Sequence, residues 1–302
     1  MGAFDLAFSQ AQGSSQWLAG QAVDALLDEA RLAPKPGLVD SRGQGAHTDL
    51  NLDLMCRSAR ALAPALAEMA GAARAAAAPT LALRESLGRI GREAEAAMMK
   101  TTQGINTHRG AIWAMGLLVA AAAIEPFAPD EASPARTARL AAVIARLPDR
   151  HAPQVSGNKG ERACRDFGVA GARGQAQAGF PQVIERGLPE LQRSRSRGDS
   201  ETASRLNALL AILSGLDDTC VLSRAGPAAL RALQEDAAAV LAGGGVATLT
   251  GRRLLRQLDA RALALNASPG GAADLLAATL FLDRLDLGSA GLHIFESCYG
   301  NL

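Results

Sequence analysis

Residues Ala111–Ile124, AIWAMGLLVAAAAI, are apolar on nearly every side of the helix that they predict. A helix with no polar stripe is stable in water only where other elements enclose it. Gly116 interrupts the run, and the run falls short of the roughly 20 apolar residues needed to cross a bilayer. Its expected surroundings are therefore other helices. The composition supplies them: aromatic residues are only 3% of the chain, and alanine and leucine dominate. Ala, Leu, Arg, Glu and Gln favour helix, whereas strands favour β-branched and aromatic residues. The expectation is an all-α protein, a single compact multi-helix domain over residues 1–302, with residues 1–13 as a flexible N-terminus.

Punctuation along the chain divides the bundle. Ser14 or Ser15 caps a helix that Pro34 brings to an end near Leu32. A second helix runs from Asp49 or Asn51 towards Ala77, kinked at Pro64, and a third from Thr80 to Lys100. Asn106 or Thr107 caps the central helix, with His108, Arg109 and Gly110 in its first turn. Further helices are expected over 134–147, 161–167, 200–213, 227–242, 248–264 and 269–287, with two short ones inside 181–193. The run QRSRSRGDS reads as an exposed turn, and the rest of 148–180 as irregular chain.

The net charge of +1 gives no global field for a nucleic acid or an anionic membrane, so an anionic ligand must meet local cations. Four scattered cysteines without a C-x-x-C pair argue against a disulfide framework, and the first residues lack a signal-peptide pattern. A cytoplasmic protein is expected.

Chemistry is concentrated where loops enter helices. Pro34–Asp53, PKPGLVDSRGQGAHTDLNLD, is longer than the roughly 2–8 residues that usually join helices. It combines stiff prolines and permissive glycines, Gly37 among them, with Lys35, Asp40, Arg42, His47, Asp49 and Asp53. Four more junctions share this character: Gly104–Gly110, with Asn106, His108 and Arg109; Gly160–Gly179, with Glu161, Arg162, Asp166 and Arg173; Asp217–Gly226, with Asp218 and Arg224; and Asn266–Asp274, whose Ser268, Gly270 and Gly271 open a helix. Free amides at a helix start attract anions, and arginine can hold phosphate bidentately. Asp49 and Asp53, one helical turn apart, and the adjacent Asp217 and Asp218 repel unless neutralised; hard carboxylates without a Cys/His cluster suit Mg²⁺. The residues alone thus suggest an all-α enzyme that takes a phosphorylated nucleotide with Mg²⁺.

The same stretches carry a family resemblance. PKPGLVDSRGQGAHTDL, GINTHRGAIWAMGLL, GERACRDFGVAGARGQAQAGFP, DTCVLSRAG and SPGGAADLLA resemble the signature blocks of triphosphoribosyl-dephospho-CoA synthases, in order and across most of the chain. The wording GAHTDLNLDLMCRSARAL and SPGGAADLLAATLFLDRL is most similar to the branch attached to malonate decarboxylase, with the citrate lyase branch as the alternative. The resemblance implies an all-α transferase that joins ATP to 3′-dephospho-CoA and releases adenine, its product passing to a carrier-protein transferase. A homodimer is one assembly open to it. Neither nucleic acid nor membrane is an expected partner.

Roles follow as expectations. Asp49 with His47 heads the catalytic candidates, joined by Asp40 and His108. Lys35, Gly37, Asn106, Arg109, Glu161, Arg162, Asp166, Arg173, Arg224, Ser268, Gly270 and Gly271 are expected to bind substrate and phosphate, and Asp218 and Asp274 to hold Mg²⁺. The chain departs from the family pattern at Arg109, where lysine is expected, and at Gln175, Ser223 and Ala272, in place of glutamate, histidine and serine. Gln175 thereby drops out as an acid or metal ligand. Two rivals remain: a Mg²⁺-dependent ADP-ribosyl hydrolase, to which Asp217–Thr219 lends slight support, and a non-catalytic helical assembly factor.

Overall fold

A computed structural model describes residues 14–124, 133–153 and 157–299, with side chains to residue 286. The expected flexible segment 1–13 lies outside the described residues. Helices dominate, and the described residues contain no strand, only an isolated bridge between Asp40 and Gly43.

The helices start where short polar side chains cap them. Ser14 Oγ accepts the Trp17 N–H at the head of α1 (Ser15–Arg31), and Asn51 Oδ1 accepts that of Leu54 at the head of α2 (Leu52–Ala61). The single kinked helix expected here is two helices. Pro64 lies in the first turn of α3 (Ala63–Ala76), where its missing N–H costs nothing, and the chain breaks at Leu62. Thr80 caps α4 (Leu81–Thr101).

The apolar run forms α5 (Arg109–Ile124) and lies at the centre. α1, α3, α4 and α6 (Pro134–Arg146) pack around it, and Ala111, Ile112 and Ala114–Ala123 are all buried. α8 (Gly171–Gln177) and the long C-terminal helix α13 (Gly270–Tyr299) complete the enclosure. His108 stands one position before α5, against the expectation that it belongs to the first turn: its carbonyl accepts the first helical bond, from Ile112 N–H at 2.8 Å.

Several other boundaries differ from expectation for local reasons. Lys159–Phe167 is α7, two residues longer at its start, and α8 lies where irregular chain is expected. Gly174 sits in α8 with its bare Cα against Ala170, a packing role that conformational propensity does not register. A π-helical turn, Gln182–Gly187, leads into α9 (Leu188–Ser196), so Arg193 and Arg195 are helical and not in an exposed turn. Arg195 bridges Glu201 and Asp283 and so ties α9 to α10 (Glu201–Leu213) and α13, while Arg197 bonds Glu190 of α9 and Asp199 in the turn that follows. α11 (Thr219–Ala242) begins before the expected Gly226–Pro227 start. Gly226 takes φ +78° and bends the helix, and Pro227 resumes it. Thr248 caps α12 (Leu249–Ala264), and α13 runs beyond the expected Leu287.

Candidate active site

The loop between α1 and α2 is held by one carboxylate. Asp40 is 3% exposed and accepts the Lys35 and Arg42 backbone N–H groups, both at 2.8 Å, together with the Arg42 guanidinium. Its acceptor positions are used within the loop, so it shapes the wall of the site and does not face a substrate. Arg42 continues to Asp259 on α12, which also accepts the Gly37 N–H at 2.9 Å. Gly37 takes φ +67°, and a Cβ there would lie 2.4 Å from the Ala267 carbonyl oxygen, so only glycine lets this loop reach the start of α13. Gly37 contributes close approach between walls.

Lys35 is placed differently from its expected phosphate contact. Its ammonium is buried and bonds Glu29 of α1 twice, at 2.5 Å to Oε1 and 2.7 Å to the carbonyl oxygen. It is half of an internal ion pair beneath the loop.

His47 is where three of the walls meet. Its Nε2 lies 2.9 Å from Ser268 Oγ, and its Nδ1 3.3 Å from Arg224 Nη1 and 3.6 Å from Asp49 Oδ1. Arginine can only donate, so Nδ1 carries the lone pair and Nε2–H donates to Ser268. Arg224 also bonds the Ala46 and Asn266 carbonyls and Asn266 Oδ1, fastening the Pro34–Asp53 loop to both α11 and the α13 entry. Burial and the Arg224 charge hold the His47 imidazole below its ordinary pKa, outweighing Asp49, so it is neutral near pH 7. Asp49 itself is 59% exposed. It is the carboxylate that this node presents to solvent.

Below the node lies a buried floor. Asp218 caps α11 through Cys220 N–H (2.8 Å) and Val221 N–H (3.3 Å), and its other oxygen accepts Ala272 N–H of α13 at 2.9 Å. One carboxylate thus satisfies the starts of two helices. The α13 entry expected to cradle phosphate is already in use: Asp218 takes Ala272 N–H, Gly270 N–H bonds the Ser268 carbonyl, and bare Gly271 lets the carboxylate approach. Asp274 packs against Gly110, and burial together with the Glu29 and Asp218 charges pushes its carboxyl well above the ordinary range. A carboxylate surrounded by N–H donors and a carboxyl that resists ionisation do not fit a Mg²⁺ site. Among the described residues, no group of three His, Cys, Asp or Glu side chains could hold a metal.

His108 is 2% exposed and sits beneath the same floor, its Nδ1 2.8 Å from Ser58 Oγ, which in turn meets Thr107. Burial, with Lys35 adding to it, lowers the imidazole pKa to about 4. The unfolded chain takes up this proton below about pH 6.5, whereas the folded protein refuses it until about 4. Stability should therefore fall as pH drops through that window, by about 3 kcal/mol in all. Urea denaturation at pH 7, 5.5 and 4.5 should show the decline, and His108→Gln should flatten it.

The fifth junction joins from the far side. Gly160 and Gly171 both lie against Thr219, at the start of α11, and the Lys159 charge acts on His47. Glu161, Arg162, Asp166 and Arg173 are exposed, and the side chains of Arg162 and Arg173 make no hydrogen bond or ion pair to a described residue. Arg109 pairs with Glu95, and its backbone N–H bonds Asn106 Oδ1 at 3.3 Å, which makes Asn106 a support for the entry to α5. Sequence reasoning missed Asp259, Asn266, Ser58 and Lys159. Only Lys159 had a usable signal, a lysine beside glycine at a helix start; the others act across 42 to 222 residues.

Comparison with known proteins fits this arrangement. The profile of the ATP:dephospho-CoA triphosphoribosyl transferase family matches residues 15–291, which contain every residue of the node. A protein of Pseudomonas fluorescens named probable 2-(5″-triphosphoribosyl)-3′-dephosphocoenzyme-A synthase is 58% identical over 96% of this chain and 98% of its own. The Klebsiella pneumoniae protein of that name, without the qualifier, is 58% identical over 91% of this chain and 96% of its own. A relative from Azotobacter vinelandii is 59% identical over 88% and 90%. No solved structure matches. The chain belongs to the ATP:dephospho-CoA triphosphoribosyl transferase family.

Proposed function

We propose that this chain makes 2′-(5″-triphosphoribosyl)-3′-dephospho-CoA. The ribose 2′-hydroxyl of 3′-dephospho-CoA attacks C1 of the ATP ribose, the C1–N bond to adenine breaks, and the hydroxyl proton is balanced by the one adenine carries away. The observation that carries this reading is the His47 node. It gathers an exposed carboxylate, a neutral imidazole and a fixed guanidinium where the walls converge.

Departure of adenine builds positive charge at C1, which a carboxylate stabilises, and the attacking hydroxyl needs a base. Asp49 has the exposure to serve there, and it lies beside His47 within the node. Arg224, Lys159 and Arg162 supply the cationic rim to which a retained triphosphate can anchor, so that its binding positions the sugar. Mg²⁺ enters with ATP as part of the substrate, its charge partly neutralising the triphosphate, and no ligand on the protein is assigned to it. The product's onward use by a carrier-protein transferase serving malonate decarboxylase, in the cytoplasm, belongs to the same reading.

Chromatography of adenine release from MgATP tests it. Release that requires 3′-dephospho-CoA and yields the joined product is expected. Release without the acceptor would make the chain a hydrolase, and no ATP consumption would make it a binding or assembly protein.

A further inference from the structure

Away from the His47 node, α4, α5, α8 and the chain after α6 enclose a second charged group. Arg84 of α4 is only 6% exposed and lies over the indole of Trp113 on α5, 4.9 Å from the ring centroid. Its Nε and Nη1, and the Trp113 Nε1, are buried and have no hydrogen-bond acceptor among the described residues. Asp149 is the carboxylate at hand, yet Arg92 and the His151 backbone N–H already occupy it, both at 2.9 Å, while Arg84 Nη1 stays 3.7 Å away. Arg173, exposed on α8, adds its charge to that of Arg84 and Arg92. Two guanidiniums therefore face one engaged carboxylate, with the Arg173 charge added to theirs.

A buried donor left unpaired costs about 1–3 kcal/mol, and here three sit together amid excess positive charge. A cation–π brace alone accounts for the stacking but not for the unused N–H groups, nor for two further arginines. What the group lacks is an acceptor carrying negative charge. Trp113 lies one helical turn beyond Arg109 on α5, so the group borders the site already described.

We propose that Arg84, Arg92, Arg173 and Trp113 form a second anion subsite that receives a phosphoryl group of one of the two nucleotide substrates. The identity of the substrate rests on the transferase reading; binding of a phosphoryl anion as such does not.

The test uses the full chain and inorganic pyrophosphate, followed by calorimetry, with KM for ATP and for 3′-dephospho-CoA measured separately. The variants are Arg173→Ala, whose exposed side chain can be lost without harm to folding, and Trp113→Phe, which keeps the ring and removes the N–H. Pyrophosphate binding should weaken roughly tenfold in each. KM should rise by a similar factor for one nucleotide and stay within about twofold for the other, which identifies the source of the phosphoryl group. Wild-type pyrophosphate affinity and both KM values unchanged in the two variants would reduce the cluster to a brace. Arg84→Met adds a third comparison where its melting temperature shows that it folds. Weakened pyrophosphate binding in a chain that releases no adenine would uphold the subsite and overturn the transferase reading instead.

Discussion

Asp49→Asn is expected to lower adenine release by about 10²–10⁴-fold, the range typical for loss of a positioned acid or base. Folding should be spared. The side chain is 59% exposed, its described neighbour is the neutral His47 imidazole at 3.6 Å, and surface changes of this kind usually move stability by about 0.5 kcal/mol or less. A second effect separates a catalytic carboxylate from a merely charged surface. Asp49 is the group that raises the His47 pKa against burial and Arg224. Its removal should drive that pKa lower still, so the acid limb of the residual activity should shift to lower pH. Wild-type turnover by Asp49→Asn, with an unmoved acid limb, would take this residue out of the reaction.

The fold was legible because its signals are local. Ser14, Thr80, Ser133, Ser200 and Thr248 each cap a helix within three residues of themselves, and the featureless apolar run could only become the central helix. The site was legible as a set of five junctions, since glycines such as Gly37, Gly110 and Gly271 mark where two walls must touch.

What each polar group does at those walls was not legible. Asp40, Asp218 and Lys35 look like chemistry in the sequence, but each is consumed by partners that satisfy the interior: loop amides, two helix starts and the Glu29 carboxylate. Burial decides between a catalytic and a structural carboxylate, and burial is set by distant packing. Asp49 and Asp40 lie nine positions apart in one loop, yet one faces solvent and the other is 3% exposed. Arginine runs misled in the same way, because the partner that makes Arg195 a structural brace, Asp283, is 88 residues away.

Lys35→Met carries the largest expected cost in stability. The wild-type ammonium is 1% exposed and neutralises Glu29, itself 4% exposed, while the carbonyl of Glu29 takes a further bond. Removing one partner of a buried pair leaves the other charge without compensation, which costs about 3–5 kcal/mol. The Glu29 charge already acts on Asp274, so the deficit would fall on a floor that is short of positive charge. For a domain of this size the melting temperature should drop by roughly 6–15 °C. The double variant Glu29→Gln/Lys35→Met should recover most of this loss, because with both charges gone neither pays desolvation alone. A lysine that reached the substrate would behave in the opposite way: Lys35→Met would melt like wild type, ATP would bind more weakly, and the Glu29 change would offer no rescue. Thermal melts of the two single variants and the double variant, beside KM for ATP, therefore distinguish an ion pair that holds the loop on α1 from a side chain that holds phosphate.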